Sequence, residues 1–260
     1  NYMEKREIPH INYFCSLPFN GAQIDEDGTV RPCCNWDPVE KDWPTMQYGL
    51  ANAVQHHRFK EVRHNMLNGI NTPGCKRCFE NERAKKDSSR LANLSRDGDW
   101  IRETNHNNLF SKDFYELHYL DTTFSILCNL SCRMCSGAVS STFGKIIGKD
   151  NITDSYDISE VDIDVSKLDR IKFVGGEPLM EPKHNLFLEK IVSDGVDLKN
   201  LDLVYHSNAT KLPSKAVQEI WKKCKSVLIN LSIDGYRDTN WQQRPGPYNW
   251  DDIETVCKQY

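Results

Sequence analysis

Three cysteines close together are the residues in this chain whose types and spacing point most directly to chemistry. Cys128, Cys132 and Cys135 follow the pattern C-x3-C-x2-C. They come directly after a β-prone run from Glu116 to Ile126, so the pattern predicts that they lie on the loop leaving a strand. Such a loop can fold back and bring three sulfurs to one inorganic centre. Three thiolates on a four-iron cluster would leave one iron open to a small molecule.

The same thiols allow other interpretations. They could form disulfides, hold a zinc ion, or be buried as small apolar side chains. A zinc site needs a fourth ligand nearby, whereas His118 lies ten residues before Cys128, inside the predicted strand, and no second CxxC follows the motif. Because a short cysteine motif does not identify its metal, the spacing alone leaves these interpretations open.

The elements that must position the cysteines follow a regular order. Each later apolar run ends in a polar turn. The turns are Gly175-Gly176-Glu177-Pro178 after 170–174, His206-Ser207-Asn208-Ala209-Thr210 after 201–205, and Ser232-Ile233-Asp234-Gly235 at the end of 226–233. Helical stretches separate these runs, so the pattern predicts repeated βαβ units and a parallel sheet, hence an α/β fold. Active sites of such folds lie at the carboxyl ends of the strands, where the cysteines and the three turns fall.

Residues 113–260 resemble the radical S-adenosylmethionine (SAM) enzymes. The resemblance rests on the three-cysteine motif, on GGEP at 175–178 and on SxDG at 232–235, in the family's order. It implies a partial (β/α)6 barrel, of which the first four βα units are present. We therefore expect a fragment or an unusually short version, whose missing strands would help to line the substrate pocket. Where the family has an aromatic residue packed on adenine, this chain has Met134, and a polarizable thioether could take that place.

The resemblance also implies a role for each site residue. Cys128, Cys132 and Cys135 would hold a 4Fe-4S cluster whose open iron chelates SAM, and reduction would release a 5′-deoxyadenosyl radical that abstracts hydrogen from a substrate C–H bond. Carried over, the turn residues Gly175, Gly176, Glu177 and Pro178 would hold the SAM amino group, and Ser207, Asn208, Ser232 and Asp234 its ribose and carboxylate end. Arg244 could hold a carboxylate of SAM or of substrate. The expected partners are SAM, a reductant such as flavodoxin or ferredoxin, and a peptide or small-molecule substrate.

Five further cysteines precede this region: Cys15, Cys33, Cys34, Cys75 and Cys78. The pair Asp27-Gly28 predicts a hairpin that delivers Cys33 and Cys34 to one end of a small sheet. A helix is predicted at 52–68, and the CxxC of Cys75 and Cys78 is predicted to open another helix at 79–96, where backbone N–H groups would stabilise thiolates. A redox dithiol would need a preceding strand, and 68–74 is a turn. A metal centre is therefore favoured.

The N-terminal arrangement resembles the auxiliary-cluster modules of radical SAM enzymes called twitch and SPASM. The resembling segments are 15–19, 25–34 and 74–78. The resemblance implies a second 4Fe-4S cluster held by Cys15, Cys75, Cys78 and one of Cys33 or Cys34, with Cys34 preferred. The same four thiols suit zinc as well. We therefore predict a small α+β Cys-rich auxiliary module at 1–100, a polar linker at 97–112 and the partial barrel at 113–260.

Composition limits the remaining classes. The chain has 260 residues, a net charge of −4 and a hydrophobic fraction of 38%, values typical of a soluble protein without general attraction to nucleic acid. No apolar run reaches the ~20 residues of a membrane span, and the first residues lack the apolar core of a signal peptide. The expected location is the cytoplasm, where ten cysteines favour metal binding over disulfides. A rival class is a non-catalytic zinc or iron–sulfur protein that binds metal or transfers electrons, which would need neither GGEP nor SxDG.

Overall fold

A computed structural model of the chain describes residues 10–37, 42–107, 109–148, 156, 162 and 164–260. They form a mixed α/β fold around one six-stranded sheet. Within the described ranges, no helix has both the length and the apolarity that a membrane crossing requires.

The predicted N-terminal hairpin is present. A short helix, α1 (Leu17–Asn20), leads into strand β1 (Gly21–Ile24), which pairs antiparallel with β2 (Val30–Arg31). Gly28 in the turn has a φ of 77°, a conformation that glycine adopts without steric cost. The hairpin chain continues directly to Cys33 and Cys34.

A series of short helices follows the hairpin: α2 (Leu50–Val54), α3 (His57–Leu67), α4 (Lys76–Arg83), α5 (Ser89–Arg96) and α6 (Gly98–His106). The predicted helix at 52–68 is interrupted at His56, which is extended and caps α3. The predicted helix at 79–96 is interrupted at Lys85, which has a φ of 55°, and a new helix begins where the Ser88 hydroxyl accepts the N–H of Leu91. Both predictions overlooked a residue that caps a helix.

The linker predicted at 97–112 is wrong over its first half. Helix α6 occupies this stretch and buries Ile101 and Thr104, three residues apart on one face. The other positions of α6 are mostly polar, so its apolar residues do not repeat often enough for the sequence to predict a helix.

The second part of the chain alternates strands and helices as predicted: β3 (Tyr119–Thr123), α7 (Ser141–Ile146), β4 (Arg170–Val174), α8 (Pro182–Ser193), β5 (Asp202–Ser207), α9 (Lys215–Trp221), β6 (Ser226–Leu231), α10 (Asp238–Gln243) and α11 (Trp250–Gln259). The sheet order is β2-β1-β3-β4-β5-β6, and all neighbours except β1 and β2 are parallel. The predicted parallel α/β sheet is confirmed. Strand β3 is shorter than the run predicted at 116–126, because the chain beyond Thr123 bonds to turns instead of to a neighbouring strand.

The N-terminal hairpin belongs to this same sheet. Strand β1 pairs in parallel with β3, with Gly21 opposite Tyr119 and Ile24 opposite Thr122. The separate small sheet predicted for Cys33 and Cys34 is therefore wrong. The domain boundaries at 1–100 and 113–260 stay predictions.

The two faces of the sheet differ in character. On one face Phe173 packs against Phe187 of α8, and Tyr205 packs against Trp221 of α9, with ring centroids 6.1 Å and 5.0 Å apart. Because side chains alternate along a strand, the intervening residues point the other way. That second face carries Asp121, Lys172 and His206, and we call it the polar face.

Candidate functional site

Cys128, Cys132 and Cys135, hereafter the loop thiols, lie between β3 and α7 at the carboxyl edge of the parallel strands. The first turn of α7 holds this loop in place. The Ser141 hydroxyl accepts the N–H of Cys128 at 3.1 Å, and the hydroxyl of Thr142 donates to the carbonyl of Cys128 at 2.5 Å. The short spacing of the motif and the hydroxyls that follow it therefore bring the three cysteines onto one anchored loop.

The sulfurs of the loop thiols face polar donors. Cys128 and Cys132 are 9% and 8% exposed, and burial raises the pKa of both thiols. The Cys128 sulfur accepts the N–H of Leu130 at 3.4 Å and the side-chain amide of Asn208 at 3.8 Å. The guanidinium of Arg244 lies 3.8 Å from the Cys132 sulfur. Such donors favour the thiolate, which is the form that binds metal.

The Gly-Gly-Glu-Pro turn after β4 packs directly on the loop. The N–H of Glu177 donates to the carbonyl of Leu127 at 2.7 Å. A Cβ at Gly176 would lie 2.2 Å from that same carbonyl oxygen, and Gly175 has a φ of 117°. The close backbone approach that these glycines allow is therefore made to the chain's own cysteine loop. Their predicted contact with the SAM amino group stays a prediction.

The carboxylate of Glu177 is 1% exposed and has partners on both sides. It accepts the backbone N–H of Asn208 at 2.6 Å and that of Leu179 at 3.2 Å, at the start of the 3-10 turn Pro178–Met180. Burial raises the pKa of Glu177, and these donors oppose the rise. The carboxylate thus joins the ends of β4 and β5. An ammonium group would have to reach a carboxylate that is 1% exposed and already accepts two backbone N–H groups.

The turn after β5 adds residues that sequence reasoning missed. The side-chain amide of Asn208 donates to Asn129 at 2.9 Å, and the amide of Asn129 donates to the hydroxyl of Thr210 at 2.9 Å. Ser207, also predicted for the site, is buried and accepts the N–H of Ala209. A polar Asn between the first two cysteines was the available signal for Asn129, because an apolar residue would suffice for a purely structural loop.

The segment after β6 is joined to the cysteine loop by two backbone hydrogen bonds. The N–H of Arg133 donates to the carbonyl of Gln243 at 2.8 Å, and that of Ser131 donates to Pro245 at 2.9 Å. Arg244, which lies between these two carbonyls, forms an ion pair with Asp234 at 2.7 Å. Its predicted contact with a carboxylate of SAM or substrate stays a prediction.

Two predicted residues lie at the edge of this assembly. Ser232 contributes its backbone N–H to the carbonyl of Ser207 at 2.8 Å and thereby joins the ends of β5 and β6. Met134 is 58% exposed, so its side chain is accessible to a ligand. The predicted contacts of both side chains with SAM stay predictions.

In the N-terminal region four thiols are close enough to influence one another electrostatically: Cys15, Cys33, Cys75 and Cys78, hereafter the N-terminal thiols. Burial and then the neighbouring Cys15 and Cys75 thiols raise the pKa of Cys33 well above its usual range. Burial raises the pKa of Cys15 to about 12, with a smaller rise from Cys78. Burial thus favours the uncharged form of Cys15, Cys33 and Cys75, and a cation or cluster would have to stabilise them as thiolates.

Cys34 points elsewhere. This placement favours Cys33 over Cys34 as the fourth ligand, and the choice between them stays a prediction. Its sulfur is exposed and lies 4.0 Å from the ammonium of Lys172 on the polar face of the sheet. After loss of hydration, the main neighbour that raises the pKa of Cys34 is the carboxylate of Asp121. Cys33 begins a turn that the N–H of Trp36 closes on its carbonyl at 3.2 Å, and Cys34 lies inside this turn, so the two sulfurs have different surroundings.

Two contacts bring the N-terminal thiols together from distant stretches. A Cβ at Gly74 would lie 2.1 Å from the ring of Trp36, so the CxxC turn packs closely on the chain that follows Cys34. Arg90 forms an ion pair with Glu82 and donates to the carbonyl of Phe14 at 3.0 Å, next to Cys15. Sequence reasoning did not select Arg90, which is 6% exposed and lowers the pKa of Cys15 and Cys75.

The donor sets can be compared with the metals considered above. In the described part of the chain, no three His, Cys, Asp or Glu side chains converge closely enough to hold one metal ion. Ligands of a single zinc ion must lie about 2.3 Å from one point, whereas a four-iron cluster places each thiolate on a separate iron. The two predicted clusters, and zinc as the alternative for the N-terminal thiols, stay predictions.

No protein-family model matches the sequence, and no curated protein matches it either. Among solved structures, the chain is similar to Streptococcus suis SuiB bound to precursor peptide SuiA and to SuiB bound to S-adenosylmethionine, each at 16% identity. The TM-scores are 0.38 and 0.33, and each match covers 92% of this chain. The chain spans about half of the length of these structures, 52% in each case. At these values neither similarity assigns a function to this chain.

Proposed function

We propose that this chain is a radical SAM enzyme that modifies a peptide or a small metabolite, with an auxiliary 4Fe-4S cluster on its N-terminal thiols. The observation that carries the proposal is the number of strand ends that meet at one cysteine loop. The turns after β4 and β5 and the segment after β6 all bond to this loop or to its sulfurs. A purely structural loop does not need such a set of contacts, whereas an open cluster requires fixed ligands, sulfur donors and limited water.

The bound groups would supply the chemistry: a 4Fe-4S cluster, reduced by an external one-electron donor, would pass one electron to the C–S bond of SAM and so allow removal of hydrogen from a substrate C–H bond. The loop thiols would be the ligands of that cluster. Asn208 and Arg244 would stabilise their thiolates, and the buried Glu177 would keep the ends of β4 and β5 in register with the loop. A cavity of about 520 Å³ bordered by Asn129 and Thr210 adjoins the loop, and its size suits a nucleoside-sized ligand.

Anaerobic SAM cleavage tests the proposal. The reconstituted protein, reduced with dithionite, should convert SAM to 5′-deoxyadenosine and methionine. The variant carrying Cys128→Ala, Cys132→Ala and Cys135→Ala should form neither product and should keep about half of roughly eight irons. Cys257→Ala, outside both thiol groups, is the control and should cleave SAM normally. Cleavage by the triple variant would overturn the proposal.

The internal bonding of Glu177 favours a second candidate, an electron-transfer protein that carries two clusters and does not bind SAM. A SAM-binding titration of the loaded protein separates the two functions. Glu177→Gln then distinguishes the roles of the carboxylate. Loss of iron would identify a positioning role, and weaker SAM binding with full iron content would identify contact with the SAM amine.

A further inference from the structure

A small cavity lies against the polar face of the sheet, beside Cys34. Its volume is about 270 Å³, and three cationic side chains line it: Arg96, Arg170 and Lys172. No carboxylate is among its lining residues. The size is below that of most ligand pockets and suits a small anion or one acidic side chain.

Two of the three cations already have partners. Arg96 pairs with Asp97 at 2.6 Å, and Lys172 pairs with Asp121 at 2.8 Å. Their positive charges are therefore largely balanced.

Arg170 differs from both. Its Nε atom is buried and has no hydrogen-bond partner among the described residues, and its guanidinium lies 6.0 Å from the ring centre of Tyr119. Its acidic neighbour in register is Asp202, whose carboxylate binds the Ser226 hydroxyl at 2.6 Å and Lys225 at 3.3 Å. A buried donor without a partner is costly, so the Nε–H of Arg170 is a donor that a bound acceptor could satisfy.

We propose that this cavity binds an oxyanion, a carboxylate or a phosphate, with Arg170 as its principal ligand. A guanidinium holds either group through two parallel hydrogen bonds. The Tyr119 ring forms part of the wall, with the guanidinium groups of Arg96 and Arg170 at 5.2 Å and 6.0 Å from its centre. The site lies near the amino ends of β3 and β4, at the opposite edge of the sheet from the loop thiols, and it does not depend on the proposed radical function.

Cys34 provides a reporter inside the cavity. Iodoacetate and iodoacetamide alkylate a thiolate by the same reaction but differ in charge, so their rate ratio at Cys34 cancels the thiolate fraction and reports the local potential. Arg170→Gln should lower the iodoacetate-to-iodoacetamide ratio by roughly threefold or more, because one nearby unit charge is lost. Arg170→Lys should retain most of the ratio. Lys258→Gln, which removes one charge from the exposed end of α11, should leave it unchanged.

Inorganic phosphate and glutarate are the probe ligands. At least one should slow the alkylation of Cys34 by iodoacetamide and raise the Tm of the wild-type protein, and both effects should vanish in Arg170→Gln. Protection by phosphate alone identifies a phosphate site, and protection by glutarate alone identifies a carboxylate site. The proposal is overturned if neither anion changes the alkylation rate or the Tm and the reagent ratio is the same in Arg170→Gln. None of these readouts requires iron or SAM, so their failure is distinct from failure of the proposed enzyme.

Discussion

The two thiol groups are assembled in opposite ways. The loop thiols come from one short segment, and their sulfurs are met by polar donors from the turn after β5 and from Arg244. The N-terminal thiols come from three separate stretches, and Cys15, Cys33 and Cys75 belong to or pack on the main apolar core. Their nearby cation is Arg90, whose ion pair with Glu82 is itself largely buried.

This difference has a chemical consequence. Three thiols, two of which have hydrogen-bond donors, would leave one iron of a four-iron cluster open, in a polar setting at a strand edge. Four thiols in an apolar setting would ligate a cluster completely and leave no iron for a substrate. We therefore expect reactivity at the first group, and structural support or electron transfer at the second.

The largest expected effect is a difference in iron content between variants of the adjacent residues Cys33 and Cys34. Cys33→Ala should remove the N-terminal cluster and lose about half of roughly eight irons, because the Cys33 thiol faces Cys15 and Cys75. Cys34→Ala is the matched control and should keep full iron content, because its sulfur lies near Lys172. Iron analysis and visible absorbance of both variants measure the effect. The reverse pattern would restore Cys34 as the ligand and contradict the closed group described here.

A smaller effect should follow from the buried ion pair of the N-terminal group. Arg90→Gln leaves the Glu82 carboxylate without its partner and removes two bonds to backbone carbonyls near Cys15. We expect a loss of about 3 kcal/mol in the free energy of unfolding, measured by urea denaturation of the metal-free protein. Arg83→Gln, on an exposed helix position, should change the stability by less than about 0.5 kcal/mol. Equal stability of both variants would mean that Arg90 does not hold this region together.

The smallest effect concerns the donors around the loop thiols. Asn208→Ala removes a hydrogen bond to the Cys128 sulfur, and such bonds stabilise the reduced, more negative cluster. One hydrogen bond of ~0.5–1.5 kcal/mol corresponds to a potential roughly 20 to 60 mV more negative for a one-electron couple. Redox titration followed by electron paramagnetic resonance measures this shift. The potential of the N-terminal cluster should not change, and an equal shift of both would show that the variant acts on the whole fold.

How well the sequence predicts each feature depends on how far apart in the chain the residues that determine it lie. Loop position, hairpin and parallel strand order rest on local patterns, and the structure agrees with them. The choice between Cys33 and Cys34 depends on how the hairpin exits a sheet that also contains β3, a contact nearly one hundred residues away in sequence. No local signal indicated it.

The polar contacts of the site were the least predictable. The carboxylate of Glu177 accepts two backbone N–H groups, and one of them belongs to Asn208, directly after β5. Its bonding therefore depends on the register between β4 and β5. The positions of Lys172 and Arg170 could be predicted from the sequence, because charged and apolar residues alternate along Arg170–Val174. That alternation indicates one polar face of a strand, whereas the strand was predicted from its apolar residues alone.

Electron paramagnetic resonance of the reduced, fully loaded protein, recorded without and with SAM, tests the central claim most directly. We predict two cluster signals, of which one changes on addition of SAM and is absent from the variant lacking Cys128, Cys132 and Cys135. The other signal should be unaffected by SAM and absent from Cys33→Ala. Two signals that are both insensitive to SAM, or a SAM-sensitive signal that survives in the triple variant, would contradict the distinction between an open and a closed thiol group.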